Sequence, residues 1–184
     1  PLQRGRIIPL ETSDSSLLYD IVSIDQVKDK YFIRSRNKIL TFDTEGNYLY
    51  NISGIGQGNK EYVNLSSFFI KNEELCIYDF NQGRVLVFAP SGRYLRTEKA
   101  VKNSDVECAP QLIRPYGKNK YIAKNSFNGT PGYVTPALSL LDEKYTITQT
   151  LEGHSLHTGF LLFDFMNCDD NGGFITYWEA LSDT

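Results

Sequence analysis

A segment of twelve residues occurs twice in this chain and constrains its fold more than any other feature. Residues 38–49 (KILTFDTEGNYL) align without a gap with residues 84–95 (RVLVFAPSGRYL), so the second copy follows the first by 46 residues. Each copy contains an alternating apolar run, a polar turn that closes with glycine, and a second run that opens with Tyr-Leu. Alternation with a period of two predicts a strand, and the glycine supplies the positive φ of a short hairpin loop. We therefore predict a β-hairpin in each copy.

The match extends to the strand before the hairpin, because residues 30–33 align with residues 76–79 at the same offset. Each unit therefore contains at least three strands, and a fourth fits. Repeats of about 40–50 residues with four strands are typical of β-propeller blades, whereas helical repeats of this length show a period of 3.6 residues. We predict an all-β propeller of four-stranded antiparallel blades, which must stack because an isolated blade leaves two faces uncovered.

Applied along all 184 residues, the repeat predicts a single domain with about three and a half blades, a partial propeller. The third unit contains about seven extra residues, which we assign to residues 125–136. The apolar run at 7–10 is expected to be a strand that pairs far from its neighbours in sequence. The predicted segments are an N-terminal strand and loop at 1–18, blade one at 19–53, blade two at 65–98, blade three at 111–151, and a partial blade four at 160–184 with its turn at 169–173.

Composition excludes some functions. The net charge of −3, 41% hydrophobic residues, 12 Tyr and 11 Phe are typical of an ordinary β-rich globular protein. Nucleic acid is not an expected partner, because the charges are scattered rather than clustered as lysine and arginine on one face. We expect no transmembrane segment, since no apolar run is long enough to span a bilayer as a helix, and the first residues contain no export signal.

The chain contains three cysteines, Cys76, Cys108 and Cys168, without a Cys-x-x-Cys pair. Cys76 lies in a strand pattern and is expected to be a buried thiol that packs as a small apolar group. A disulfide between two of the three cysteines stays open, because the sequence does not identify the pair.

Metal-binding and catalytic motifs are weak. His154 and His157, followed by Cys168-Asp169-Asp170, offer imidazole and carboxylate ligands, but the histidines lie in a polar loop that does not aim both rings one way. The run 169–173 lacks the spacing of a calcium-binding EF-hand loop, and no Gly-x-Ser-x-Gly elbow is present. We therefore predict no catalytic residue, no metal ligand and no cofactor. Bound calcium is an alternative without support.

Three segments resemble one known family. Residues 8–12 (IPLET), the pattern Phe-Asp-x-x-Gly-x-Tyr-Leu at 42–49, and residues 56–62 (GQGNKEY) are similar to the six-bladed β-propeller family found mainly in Bacteroidetes, which is related to NHL-repeat propellers. Members commonly show Gly-Gln-Gly-Pro-Gly-Glu-Tyr after the first blade, and here Asn59 and Lys60 replace the Pro and Gly. The resemblance covers nearly the whole chain and about half of a typical member.

The resemblance implies a lipoprotein-like protein of the bacterial cell envelope, in the periplasm or associated with the outer membrane, and it implies no reaction. We therefore expect a non-enzymatic binding or scaffold protein with an unknown protein or glycan ligand. A metal-dependent lactonase-like or esterase-like hydrolase is one alternative, and a truncated fragment without independent function is another. Self-association is also expected, because an incomplete blade exposes strand edges and apolar faces.

Five residues are candidates for ligand binding. Gln57, Glu61 and Tyr62 lie in the loop that follows the first unit and matches the family segment. Asn128 lies in the extra loop of the third unit, and long loops on a rigid scaffold often carry function. Trp178 lies at the unfinished edge of the fourth unit, where its ring packs against a partner or stands exposed.

Overall fold

The structure, a computed structural model, is all-β in the part of the chain that it describes. It describes residues 5–100, 109–125 and 138–151, together with two short strands at 166–168 and 174–176. No helix occurs among these residues. Three four-stranded antiparallel sheets follow one another along the chain, and an antiparallel pair of strands follows them.

Each sheet is a meander, because every strand pairs with the next one along the chain. Sheet 1 contains β1 (Ser23–Val27), β2 (Lys30–Ser35), β3 (Lys38–Asp43) and β4 (Tyr48–Ile52). Sheet 2 contains β5 (Leu65–Lys71), β6 (Glu74–Asp79), β7 (Arg84–Phe88) and β8 (Tyr94–Lys99). Sheet 3 contains β9 (Pro110–Pro115), β10 (Tyr121–Asn125), β11 (Leu138–Leu141) and β12 (Ile147–Leu151). The last pair is β13 (Met166–Cys168) and β14 (Phe174–Thr176). The predicted four-stranded antiparallel units are confirmed.

The turn between the third and fourth strands is the same in all three sheets. A backbone carbonyl accepts the N–H of the residue three positions later, and that later residue has a positive φ of +90°, +79° or +61°. Glycine adopts positive φ at little cost, which explains why two of the three copies contain it and confirms the predicted hairpins. The bonded pairs are Asp43 with Gly46 at 3.2 Å, Ala89 with Gly92 at 2.9 Å, and Asp142 with Tyr145 at 3.0 Å.

The spacing between equivalent strands is not constant. Phe42 pairs with Tyr31, and its equivalent Phe88 pairs with Leu75. Phe88 follows Phe42 by 46 residues, whereas Leu75 follows Tyr31 by only 44. The predicted alignment of the second strands is therefore wrong by two residues. The reason is turn length, because four residues connect β6 to β7 and two connect β2 to β3.

The extra residues of the third unit lie between its second and third strands. Tyr121 pairs with Leu141 in sheet 3, as Leu75 pairs with Phe88 in sheet 2. Tyr121 follows Leu75 by 46 residues, whereas Leu141 follows Phe88 by 53. Seven residues are therefore inserted between β10 and β11, where the sequence predicts them.

Apolar side chains from alternate strand positions join the sheets. Successive residues of a strand point to opposite faces. β6 accordingly places Leu75 and Ile77 in the core shared with sheet 1, and Cys76 and Tyr78 in the core shared with sheet 3. Sheet 2 is therefore buried on both faces, and the expected burial of the Cys76 thiol is confirmed.

The first strands of the three sheets are neighbours, with β5 between β1 and β9. The Ser67 hydroxyl accepts the Ile113 N–H at 3.2 Å and donates to the Ile113 carbonyl at 3.1 Å. One residue further along each strand, Arg114 Nη1 donates to the Phe68 carbonyl at 2.6 Å. Both pairs are separated by 46 residues, so equivalent positions of successive units lie side by side.

The predicted strand at residues 7–10 is wrong, because this stretch is irregular. Proline at position 9 has no N–H to donate to a strand ladder. The segment instead makes a single backbone bond to sheet 1, from the Glu11 N–H to the Gly46 carbonyl at 2.8 Å. Leu18 then packs on the face of sheet 1 that points away from sheet 2. The N-terminal segment thus covers the sheet that follows it rather than pairing with a distant one.

β13 and β14 flank the predicted turn of the fourth unit and pair with each other. The first strand predicted for that unit, at 160–165, lies outside the described residues.

Candidate functional site

A cleft of about 440 Å³ opens between sheets 2 and 3, and we call it the sheet 2–3 cleft. Its walls are the β5–β6 turn, the end of β8, the β9–β10 turn and the β11–β12 turn. The three turns lie at one end of the two sheets, and β8 adds the side chains of Glu98 and Lys99, so residues that are distant in sequence line one cleft. The lining residues are Lys71, Asn72, Glu98, Lys99, Asn119, Glu143, Lys144 and Tyr145.

Lys71 extends from the end of β5 over two aromatic rings. Its ammonium lies 5.2 Å from the centre of the Tyr145 ring and 5.5 Å from that of Tyr121, at distances where ring faces attract a cation. It lies 3.6 Å from a carboxylate oxygen of Glu98. Burial alone lowers the pKa of Lys71, but hydrogen bonding to Tyr121 and the charge of Glu98 raise it above its ordinary value. The side chain therefore remains charged at neutral pH.

Glu98 is shared between two cations, and Arg96 is the closer of them. Arg96 Nε donates to Glu98 at 2.9 Å, and its two terminal nitrogens donate to Glu74 at 3.0 and 2.7 Å. The bond to Arg96 holds the pKa of Glu74 below its usual value. Since Arg96 occupies Glu98 more tightly, Lys71 is the weaker partner of that carboxylate.

Tyr145 has a conformation that its residue type disfavours. Its φ is +61°, and the equivalent residues of sheets 1 and 2 are Gly46 and Gly92. A non-glycine residue in the left-handed region costs about 1–2 kcal/mol. The side chain is only 1% exposed, and its ring centre lies 4.7 Å from that of Tyr121. Its buried hydroxyl makes no hydrogen bond of normal geometry within the described chain, and burial raises its pKa so that it stays neutral.

The loop between sheets 1 and 2 contains three of the predicted binding residues. Glu61 accepts the N–H of Gly58 at 3.0 Å and so closes the loop on itself. Tyr62 is buried in the core between the two sheets, and its hydroxyl donates to the Asn37 carbonyl at 2.6 Å. Gln57 is exposed. The structure thus gives Glu61 and Tyr62 structural contacts, and it leaves both Gln57 and Glu61 exposed to solvent. None of the three lies in the sheet 2–3 cleft.

Cys76 does not line the sheet 2–3 cleft. Burial raises the pKa of the Cys76 thiol to about 12. Among the residues whose side chains are described, no group of three or more His, Cys, Asp or Glu is placed to hold a metal ion. The side chains of Asn128, Trp178, Cys108, Cys168, His154, His157, Asp169 and Asp170 lie outside those described.

Sequence reasoning missed Lys71 and Tyr145. Lys71 carries no local signal, because its role depends on rings from another sheet. Tyr145 does carry one: the repeat aligns it with two turn glycines, so an aromatic residue at a position that requires positive φ stands out. Tyr145 aligns with Gly92 only at an offset of 53 residues, whereas 46 residues separate Gly92 from Gly46.

Comparison with solved structures supports the fold. One similar structure is a protein of Bacteroides fragilis NCTC 9343 that is named as a candidate for export. It is 16% identical to this chain, the TM-score is 0.63, and the match covers 86% of this chain and 48% of that chain. A member of the DUF4221 family from Bacteroides vulgatus ATCC 8482 is 12% identical with a TM-score of 0.50, over 93% of this chain and 60% of that chain. This chain therefore spans about half of the first neighbour. At these identities the likeness shows the fold alone.

No curated protein sequence matches the chain. None of the described residues forms a helix that is long and apolar enough to cross a membrane. The family described as Domain of unknown function (DUF4934) matches residues 3–184. The comparisons thus show this family and structural neighbours from Bacteroides, and they do not show a propeller or NHL-repeat family. The chain belongs to the DUF4934 family.

Proposed function

We propose that the three sheets are successive blades of a β-propeller around one axis. The side-by-side placement of β1, β5 and β9 supports this arrangement, since the first strands of propeller blades surround the axis. The contact between Ser67 and Ile113, at equivalent positions of adjacent units, also supports it. In this arrangement sheets 1 to 3 are the blades predicted at 19–53, 65–98 and 111–151, and β13 with β14 belongs to a fourth within a ring of six.

The propeller is a non-enzymatic binding or scaffold protein of the bacterial cell envelope, outside the cytoplasm, with a glycan or protein ligand. The observation that carries the binding role is the sheet 2–3 cleft. It is a concave polar site beside sheet 2, and both faces of that sheet are buried. The name of the Bacteroides fragilis neighbour supports the location. No observation among the described residues favours the hydrolase alternative.

The test uses the complete protein as its gene encodes it, expressed in a Bacteroides host. Fractionation is expected to recover the protein with the envelope, and the purified protein is expected to retain solubilised envelope glycans or proteins on a column. Recovery in the cytoplasm, with no retention of envelope material, would refute the proposal.

Self-association is a second part of this proposal. Tyr19, Ile21, Val22 and Ile24 are exposed apolar side chains that lie close together in sequence at the start of sheet 1, and exposed apolar surface favours association. The occupant is a second copy of the chain. Light scattering is expected to detect a dimer that Ile24→Glu dissociates, whereas a monomer at all concentrations would contradict it.

A further inference from the structure

We propose that the sheet 2–3 cleft binds an acidic sugar, such as a hexuronate unit of a glycan, through the sugar's carboxylate. The inference rests on the proposed binding function and names its ligand class. Three features of the cleft carry it: its charge, the position of Lys71 and its amide groups.

The cleft is locally cationic in a chain whose net charge is −3. Glu74, Arg96, Glu98 and Lys71 form a balanced network of two acids and two bases. The remaining charged residues of the lining are Lys99, Lys144 and Glu143, and none of them makes an ion pair with another described residue. One positive charge is therefore in excess, so an anionic group is the complementary ligand.

Lys71 is the group best placed to bind the carboxylate. Its ammonium is held at the cleft by the Tyr145 and Tyr121 rings, so little side-chain freedom is left to lose on binding. Its contact with Glu98 Oε2 is long, at 3.6 Å, and Arg96 donates to the other oxygen of that carboxylate. A ligand carboxylate at the usual distance of about 2.7–2.9 Å would make the stronger, charge-assisted bond.

The rest of the lining fits a hydroxylated ligand. Asn72 and Asn119 line opposite walls of the cleft, one from each sheet. Their side-chain amides both donate and accept hydrogen bonds, as sugar hydroxyls do. The volume of about 440 Å³ lies within the range of small-molecule sites. A carboxylate together with several hydroxyls is the chemistry of a uronate.

Tyr145 acts on Lys71 rather than on the ligand. Its hydroxyl is fully buried and is not reached from the cleft, whereas its ring centre lies 5.2 Å from the Lys71 ammonium. The ring therefore positions the cation that binds the carboxylate.

The experiment is calorimetric titration of the full chain with glucuronate and with a glucuronate-containing tetrasaccharide. Glucose and acetate are the matched ligands that lack the carboxylate or the hydroxyls. We expect glucuronate or its oligomer to bind at least about tenfold more tightly than glucose or acetate. The affinity should also fall with added salt. Equal binding of glucose or acetate, or no binding of either uronate, would overturn the proposal.

Variants then locate the site. Lys71→Gln is expected to weaken glucuronate binding by about tenfold, the loss of one good hydrogen bond. The matched control is Lys118→Gln, which removes the same charge from an exposed position beside Asn119 that does not line the cleft. Circular dichroism and thermal unfolding verify that each variant is folded. If Lys71→Gln binds as tightly as Lys118→Gln, the cleft is not the site. If neither uronate binds but the same protein retains other envelope material, the proposed ligand class is wrong and the proposed binding function stands.

Discussion

The Asp25 carboxylate lies 3.5 Å from the Arg114 guanidinium and joins the first strand of sheet 1 to the first strand of sheet 3. The two residues are 89 positions apart in sequence. Arg114 also donates to the Phe68 carbonyl on β5, which lies between those strands. Burial raises the pKa of Asp25, and the charge of Arg114 opposes that shift. The free edge of β5 is thus capped by an arginine that neighbouring sheets hold in place, a means of protecting an edge strand.

Replacing Arg114 with methionine tests this role. We expect the free energy of unfolding to fall by about 1–3 kcal/mol, because the Phe68 carbonyl and Asp25 both lose their partner in a partly buried site. Urea unfolding measures the change. The control is Asp25→Asn, which leaves the bond to Phe68 intact and should cost less. An Arg114→Met protein as stable as wild type would contradict the prediction.

Gly46→Ala should be strongly destabilising, and Gly117→Ala is its matched control. Both glycines have positive φ, at +90° and +64°, so alanine is strained at either position. A Cβ on Gly46 would lie 2.1 Å from the Pro9 carbonyl oxygen, whereas a Cβ on Gly117 would meet nothing within 4 Å. We expect Gly117→Ala to cost about 1 kcal/mol in unfolding free energy and Gly46→Ala at least twice that. Equal losses in thermal or urea unfolding would show that residues 8–11 move aside freely.

The Cys76 thiol should be inert in the folded protein. Burial raises its pKa to about 12, and the thiolate is the reactive species. In a Cys108→Ser, Cys168→Ser double variant, Ellman's reagent at pH 8 is expected to give no signal until denaturant is added. The denatured protein is the internal control. Rapid reaction of the native variant would mean that the core between sheets 2 and 3 opens readily.

The Glu74–Arg96 ion pair should contribute a small amount to the unfolding free energy, and that contribution should depend on pH and salt. Both side chains are partly exposed, so Glu74→Gln should cost less than about 1 kcal/mol at neutral pH. Hydrogen bonding to Arg96 lowers the pKa of Glu74 from 4.5. The contribution is therefore complete above pH 4.5 and is lost as the pH falls through the folded-state pKa. Urea unfolding of wild type and variant should differ at pH 7 and converge as the pH falls below the folded-state pKa of Glu74, or in high salt. A difference independent of pH would rule out the charge as its cause.

Local pattern predicted the strands well and the relations between them poorly. Alternation and turn glycines placed the strands of sheets 1 and 2, because both signals act within one hairpin. The same reasoning misaligned the second strands, since a single offset cannot represent turns of two and four residues. It also made the stretch at 7–10 a strand, although a proline there removes a ladder donor and the segment packs on sheet 1 instead.

An all-β chain of repeated four-stranded antiparallel units can be predicted from the sequence, because side-chain periodicity and turn chemistry are properties of adjacent residues. Only the tertiary structure decided which turns meet. The sheet 2–3 cleft joins Lys71, Glu98 and Tyr145 from three different turns and strand ends, and the distance between them depends on how two sheets pack. Glu61 and Tyr62, which the sequence proposed for binding, make contacts within their loop and the core, and their binding role stays a prediction. Periodicity within a hairpin carries no information about the position of the next sheet, and that position creates the cleft.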